Sequence, residues 1–185
     1  MNRPARPTEW TVYESPLGPL TVSGGPEGIG SVHFPGRSPR FDEAARRPMT
    51  EAIDQLDEYF AGERKAFDLT LDLSGSPLQK LVWARLREIP YGSTISYGEL
   101  AGQIEESAFP ASLEPYQRVR AAAAEIGRTP TPILVPCHRV IGADGSLTGY
   151  GGGLPRKRAL LELEGCDIAG LGPESSPEAD QLALL

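Results

Sequence analysis

From Glu9 onward, apolar and polar residues alternate in short runs separated by turn formers. Trp10 to Tyr13 is closed by Pro16, Gly18 and Pro19, Leu20 to Val22 by Gly24, Gly25 and Pro26, and Ile29 to Phe34 completes the set. A period of two with this punctuation predicts a three-stranded meander. After a loop at Pro35 to Pro39 the period lengthens. Ile53, Leu56, Tyr59 and Phe60 share one helical face, which predicts a helix from Asp42 to a stop at Gly62. Phe67, Leu69, Leu71 and Leu73 alternate with polar residues and read as a connecting strand or extended linker.

The second half is helical in period. Ser76, Pro77 and Gln79 form a capping box with proline at the first helical position, and Leu78, Leu81, Val82, Leu86 and Ile89 follow at core spacing until Pro90 and Gly92. A second capping box, Ser96 with Glu99, opens a short helix to about Ile104, and another helix is expected from about Gln117 to Arg128. The pair resembles a helix-turn-helix, but the connection Glu105 to Pro115 is longer than the usual three or four residues. Pro155 begins a last helix. These elements predict an α+β chain: a scaffold domain at 1–74, a mostly helical domain at 75–166, and a polar, disordered tail at 167–185. Residues 1–7 read as a loose arm.

The stretch that organises the second domain is Ile133 to Gly142. Pro130, Pro132 and Pro136 push the residues before them toward extended geometry, and Ile133 to Val135 is short and apolar enough for a buried strand ending at Cys137. A cysteine in that position can be an inert small hydrophobe. His138 and Arg139, directly after it, are not what packing alone would place there, and a base or cation beside a thiol raises its thiolate fraction. Neighbouring side chains diverge, so a proton path from Cys137 to His138 requires a bridging water or a sharp turn at Pro136.

Composition narrows the options. Cys137, Cys166, His33 and His138 are too few and too scattered for a disulfide framework or a structural zinc site, so no metal is expected and His33 reads as structural or surface. No apolar run follows the basic start and none is long enough to span a membrane, which predicts a cytoplasmic protein. A net charge of −7 argues against a general nucleic-acid binder. Its distribution is uneven, however: Tyr116 to Arg158 holds seven basic residues against two acidic ones. That is compatible with a basic face on an acidic body and with modest, salt-sensitive DNA binding. Arg156, Lys157 and Arg158 crowd the first turn of the last helix and Glu164 its last, both ends disfavoured by the helix dipole. A solvated charged face, or an anion and a specific partner for Glu164, would each account for them. The alanines at 121–124 are either good helix formers or a flat face for close approach to a groove.

The run Pro136 to Val140, preceded by Pro130 and Pro132 and followed by Gly149 to Gly153, resembles the active-site signature of the O6-alkylguanine-DNA alkyltransferases. Similarity continues through Phe67 to Ser74, Val82–Trp83, Ile89 to Gly92 and Ser96 to Ala101. The resemblance implies an RNase H-like N-terminal domain and a helix-turn-helix-like element in the second. It also implies DNA repair by single-turnover transfer of an alkyl group from O6-alkylguanine in double-stranded DNA, by a monomer without cofactor. By motif position Cys137 is the nucleophile, His138 the base acting through water and Glu164 its orienter. Tyr97, Val140, Tyr150, Gly151, Ile126 and Pro132 contact or wall the base. Arg120 replaces the extruded nucleotide, with Arg118, Arg128, Ala121 and Ala124 on the DNA-facing helix. Thr129 and Arg139 belong to the structural hinge.

Gly151 occupies a position often held by Ser, leaving only a backbone N–H. Two departures stand out: Thr129 occupies a position usually held by Asn, and Glu105 to Pro115 is an insertion between the two DNA-binding helices that the resemblance implies. Together with the acidic body they fit an alternative, thiol-dependent alkyl or acyl transfer from a small molecule; the other alternative is a lesion-binding protein with little transfer activity.

Overall fold

The computed structural model describes residues 9–37 and 39–167; the expected N-terminal arm and nearly all of the expected tail lie outside them. The chain packs as two compact units. One is the chain up to Ser74 together with Pro130–Leu134, and the other is Gly75–Thr129 with the chain from Val135.

In the first unit, β1 (Glu9–Ser15), β2 (Gly18–Gly25) and β3 (Gly28–His33) form an antiparallel meander in the order β1-β2-β3. Thr11 and Tyr13 on β1 and Leu20 and Val22 on β2 put alternate positions into the core, as period-two patterning requires, whereas the buried Ile29 and Val32 of β3 are three residues apart. A bulge between Ser23 and Gly24 shifts the register of β3. The segment around Leu71 remains extended rather than forming a full strand, and brackets Ile29 through Ile29 N–H to Thr70 O and Asp72 N–H to Ile29 O, both 2.9 Å.

Helix α1 spans Thr50–Phe60, not Asp42 to Gly62. Pro48 cannot donate an intrahelical bond and pushes Arg47 out of helical geometry, so Asp42 caps only a single 3-10 turn, Glu43–Ala45. Leu56 and Tyr59 are the buried face of α1.

Residues 130–134 are a second correction. All of Ile133, Leu134 and Val135 are buried, as the apolar run implied, but Ile133 and Leu134 form a turn with Ile133 at φ +77°, not a strand. Prolines on both sides deprive a three-residue segment of the donors a ladder needs. Pro130 O instead accepts from Val32 N–H at 2.8 Å.

The second unit contains α2 (Pro77–Glu88), the two-residue β4 (Ile95–Ser96), α3 (Tyr97–Gly102), α4 (Pro115–Ile126), β5 (Val140–Ile141) and α5 (Leu154–Leu163). Both capping boxes form: Ser76 Oγ accepts from Gln79 N–H and Ser96 Oγ from Glu99 N–H, with each partner side chain reaching back. Helices α2, α3 and α4 pack on one another through Val82, Trp83, Leu86, Leu100, Ala122 and Ile126. Trp83 is packing, as its apolar neighbours suggest, with its indole N–H donating to Glu125 O. β4 pairs in parallel with β5, which ties the start of α3 to the segment just after Cys137.

The inserted connection is a built structure, not slack chain. It contains a 3-10 turn at Glu106–Ala108, the buried ring of Phe109, and a turn closed by Leu113 N–H to Pro110 O at 3.0 Å.

Candidate active site

Cys137 opens a single 3-10 turn, Cys137–Arg139, entered from Pro136 and held by Arg139 N–H to Pro136 O at 3.0 Å. The turn aims three successive side chains inward, and Cys137, His138 and Arg139 are all buried. Cys137 is 7% exposed and His138 fully enclosed.

Glu164, at the end of α5, binds the turn together. His138 Nε2 lies 2.8 Å from its Oε1, Arg139 Nε donates to Oε2 at 2.7 Å and Nη2 to Oε1 at 2.9 Å, and Gly92 N–H reaches Oε2 at 3.3 Å. The remaining Arg139 nitrogen, Nη1, donates to Ile89 O at 2.6 Å. A buried carboxylate with a bidentate guanidinium has the geometry in which an ion pair outweighs its desolvation. Burial opposes the charge on Glu164, but the hydrogen bonds of His138 and Arg139 and the Arg139 charge hold its carboxyl at about 2. Of the two readings of Glu164, a specific partner is the one the structure bears out: it is not on a solvated face.

The carboxylate fixes the imidazole's tautomer. Burial lowers the His138 pKa against the opposing hydrogen bond and charge of Glu164, with the cations Arg139 and Lys157 adding to the lowering, so the ring is neutral and its Nε2–H donates to Glu164. The Nδ1 lone pair is then an acceptor, and it has no hydrogen-bond partner among the described residues. A buried acceptor without a partner is uncommon, and here it belongs to the residue next to the thiol. Tyr150 stands edge-on to the ring, centroids 6.5 Å apart.

Desolvation pushes the Cys137 thiol up to about 11; the charge of Lys157 and the backbone N–H groups of Cys137 and His138 pull against it. The resting group is therefore a thiol, and making it a nucleophile requires a base. Thr129 does not brace the turn as an amide would. Its hydroxyl donates to Ile126 O at 2.7 Å, at the end of α4.

Lys157 is the residue that sequence reasoning missed. Expected on a solvated or anion-binding turn of α5, it is 0% exposed and donates to Val140 O at 2.6 Å and Thr148 O at 2.5 Å, with Nζ 5.9 Å from the Tyr97 ring centroid. The signal was present in the helical period: Lys157 shares its face with Leu160, Leu161 and Glu164, all buried. It joins β5 to the loop leading to Tyr150, and its charge favours the thiolate of Cys137.

The remaining expected residues are placed as follows. Tyr97 is buried in the first turn of α3 and its hydroxyl donates to Gly149 O at 3.2 Å. Gly149, at φ +38°, makes that approach possible; a Cβ there would sit 3.3 Å from the Tyr97 oxygen. Val140 and Ile126 are buried, Gly151 lies in a turn, and Pro132 falls in the 130–134 segment of the first unit. On α4, Arg120 and Ala124 are exposed and Ala121 is half-buried. Arg118 is engaged within the chain: Nη1 pairs with Glu106 at 2.5 Å and Nε donates to Leu113 O at 3.1 Å, which braces the insertion. Arg128 pairs with Glu125 at 2.7 Å while its side chain remains 60% exposed. Among the described residues, no group of three or more His, Cys, Asp and Glu is placed to hold a metal ion, and no helix is long and apolar enough to cross a membrane.

Comparison with known proteins places this geometry in context. Residues 77–166 match the DNA-binding domain of 6-O-methylguanine DNA methyltransferase and residues 9–73 its ribonuclease-like domain. The chain belongs to the 6-O-methylguanine DNA methyltransferase family. A methylated-DNA--protein-cysteine methyltransferase of Mycobacterium bovis is 46% identical over 159 residues, covering 84% of this chain and 91% of that protein. One from Methanosarcina acetivorans is 42% identical, covering 84% and 97%. The structure of Mycobacterium tuberculosis OGT in complex with DNA matches with a TM-score of 0.73 and 43% identity, covering 95% of this chain and 98% of that one. Family membership agrees with the α+β architecture and with the meander-plus-helix scaffold followed by a helical DNA-binding half.

Proposed function

We propose that this chain repairs duplex DNA by moving the alkyl group of an O6-alkylguanine onto Cys137, once per molecule. The observation that carries the reading is the neutral His138 ring: its Nε2–H is committed to an ionised Glu164 and its Nδ1 lone pair is idle, one residue from a protonated thiol.

The chemistry follows the nucleophile, base and orienter logic of a triad. Extrusion of the lesion costs roughly a few kcal/mol and brings the alkyl carbon to Cys137. The thiol proton passes to His138 Nδ1 through a bridging water. The resulting imidazolium is stabilised by Glu164, and the thiolate by the Lys157 ammonium. Sγ attacks the alkyl carbon, the S–C bond forms as the C–O6 bond breaks, and O6 becomes a carbonyl as a proton returns to the guanine ring. Tyr97 is positioned to donate to a ring nitrogen after leaving Gly149 O. The Val140 carbonyl has two lone pairs, one taken by Lys157, which leaves the other for the exocyclic amine. The Gly151 N–H serves O6, and Ile126 and Tyr150 line the pocket. On α4, Arg120 is exposed for the gap in the stack.

The test is single-turnover methyl transfer from duplex DNA bearing one O6-methylguanine. Wild type transfers one equivalent and Cys137→Ala none while still binding the lesion. Transfer by Cys137→Ala, or transfer by wild type from the free base alone, would sink the reading.

A further inference from the structure

Helix α4 and the turn that follows it carry Tyr116, Arg118, Arg120 and Arg128, and these four side chains are not equivalent. Arg118 is engaged by Glu106 and Leu113 O, and Arg128 by Glu125. Tyr116 and Arg120 are exposed and their side chains make no hydrogen bond or ion pair among the described residues. Tyr116, at 49% exposure, is one of two exposed large hydrophobic residues there, with Leu81 of α2.

A single exposed tyrosine needs no explanation. Its alignment does. Tyr116, Arg120, Ala124 and Arg128 are each four residues apart, so they form one stripe, and all four are exposed. The stripe holds two cations and no carboxylate; the one acidic residue within α4, Glu125, accepts from Gln79 Nε2 at 2.8 Å and pairs with Arg128 at 2.7 Å, which leaves Arg120 as the cation of the stripe without an ion-pair partner among the described residues. Such a face suits a polyanion.

The start of α4 is also rigid where Tyr116 leaves it. Pro115 occupies the first helical position, and Glu114 N–H donates to Gln117 Oε1 at 2.8 Å. Arg118 fastens the next turn to the insertion through Glu106. The backbone that presents Tyr116 is therefore fixed while its ring stays uncovered, and an aromatic on a preorganised backbone contributes contact area at small entropic cost.

We infer that Tyr116 is a duplex contact of this protein, its ring packing on the sugar–phosphate edge beside the extruded nucleotide while its hydroxyl donates to a phosphate. This rests on the proposed DNA substrate. The Cβ atoms of Tyr116 and Arg120 are roughly 6 Å apart on a helix, about two base steps at 3.4 Å, so the contact falls on the backbone flanking the gap that Arg120 fills.

The experiment uses the full chain with a duplex carrying one O6-methylguanine and, in parallel, the free O6-methylguanine base. Tyr116→Ala is expected to weaken duplex binding about tenfold, measured in the Cys137→Ala background, and to slow transfer from duplex far more than from free base. Tyr116→Phe should fall between, and neither should change the salt dependence, because a tyrosine neutralises no phosphate. Wild-type duplex affinity and rate in Tyr116→Ala would overturn the inference, as would equal losses on duplex and free base. Failure of the wild type to act on duplex while acting on free base would instead overturn the DNA substrate itself.

Discussion

Replacing Glu164 with glutamine exchanges one oxygen for an amide nitrogen and removes the charge on which two buried side chains, His138 and Arg139, depend. In the folded chain the carboxyl sits at about 2 against an ordinary 4.5, a difference equivalent to about 3 kcal/mol of stability at neutral pH. Breaking a buried pair by removing one partner costs a similar ~3–5 kcal/mol, because Arg139 is left charged and enclosed. For a chain of this size, ~3 kcal/mol lowers Tm by about 6–12 °C. Because the carboxyl is depressed on folding, its contribution is present above pH 4.5 and lost as pH falls toward 2. The variant should therefore also be flatter than wild type across that window. Pairing the change with Arg139→Met removes the orphaned cation and should recover part of the loss. Thermal denaturation followed by circular dichroism between pH 2 and 8 measures all three. The reasoning fails if Glu164→Gln melts within 2 °C of wild type at pH 7, or keeps the wild-type acid sensitivity below pH 4.5. An amide facing His138 Nε2 can also donate to it and drive the ring's proton to Nδ1. Transfer should then fall at least roughly a hundredfold, the scale of a lost general base.

Further outcomes follow from the same geometry. Lys157→Met removes a charge that lowers the Cys137 pKa, so the rise of the transfer rate with pH should move to higher pH; an unmoved profile would confine Lys157 to a structural role. Iodoacetamide should label Cys137 at pH 7.5 much more slowly than free cysteine, since the resting thiol is buried and titrates near 11; labelling as fast as free cysteine would refute a protonated resting state. Arg120→Ala should reduce transfer from duplex more than from free base, and equal reductions would remove Arg120 from the DNA interface. Below pH 6.5, protonation of the unfolded-state histidine adds to acid instability, because His138 is held neutral when folded. His138→Gln should lose that component in denaturation curves taken between pH 5 and 7.

The parts of this molecule that were legible in the sequence are those governed by near neighbours. The Ser76 and Ser96 capping boxes, the meander's alternation and the buried face of α1 each depend on residues within a turn or a strand. The misreadings arose where a local rule was overridden. Pro48 delayed to Thr50 the start of a helix expected from Asp42, and the prolines around Ile133 turned an apolar run into a buried turn. The active-site cluster was legible only through the motif. Nothing in the order of residues says that Arg139 will grip a carboxylate 25 positions away, or that Ile89 will offer it a carbonyl from 50 away. Lys157 shows the limit most clearly: basic neighbours on both sides argued for solvent, and only its place on the face of Leu160 and Leu161 argued for burial.

The measurement closest to the central claim is intact mass and peptide mapping after incubation with duplex DNA carrying a single O6-methylguanine, with the DNA analysed for restored guanine. The account predicts one methyl group per chain, located on Cys137, and one guanine regained for each. No adduct with the Cys137 thiol intact and titratable, or a methyl group on Cys166 instead, would contradict it.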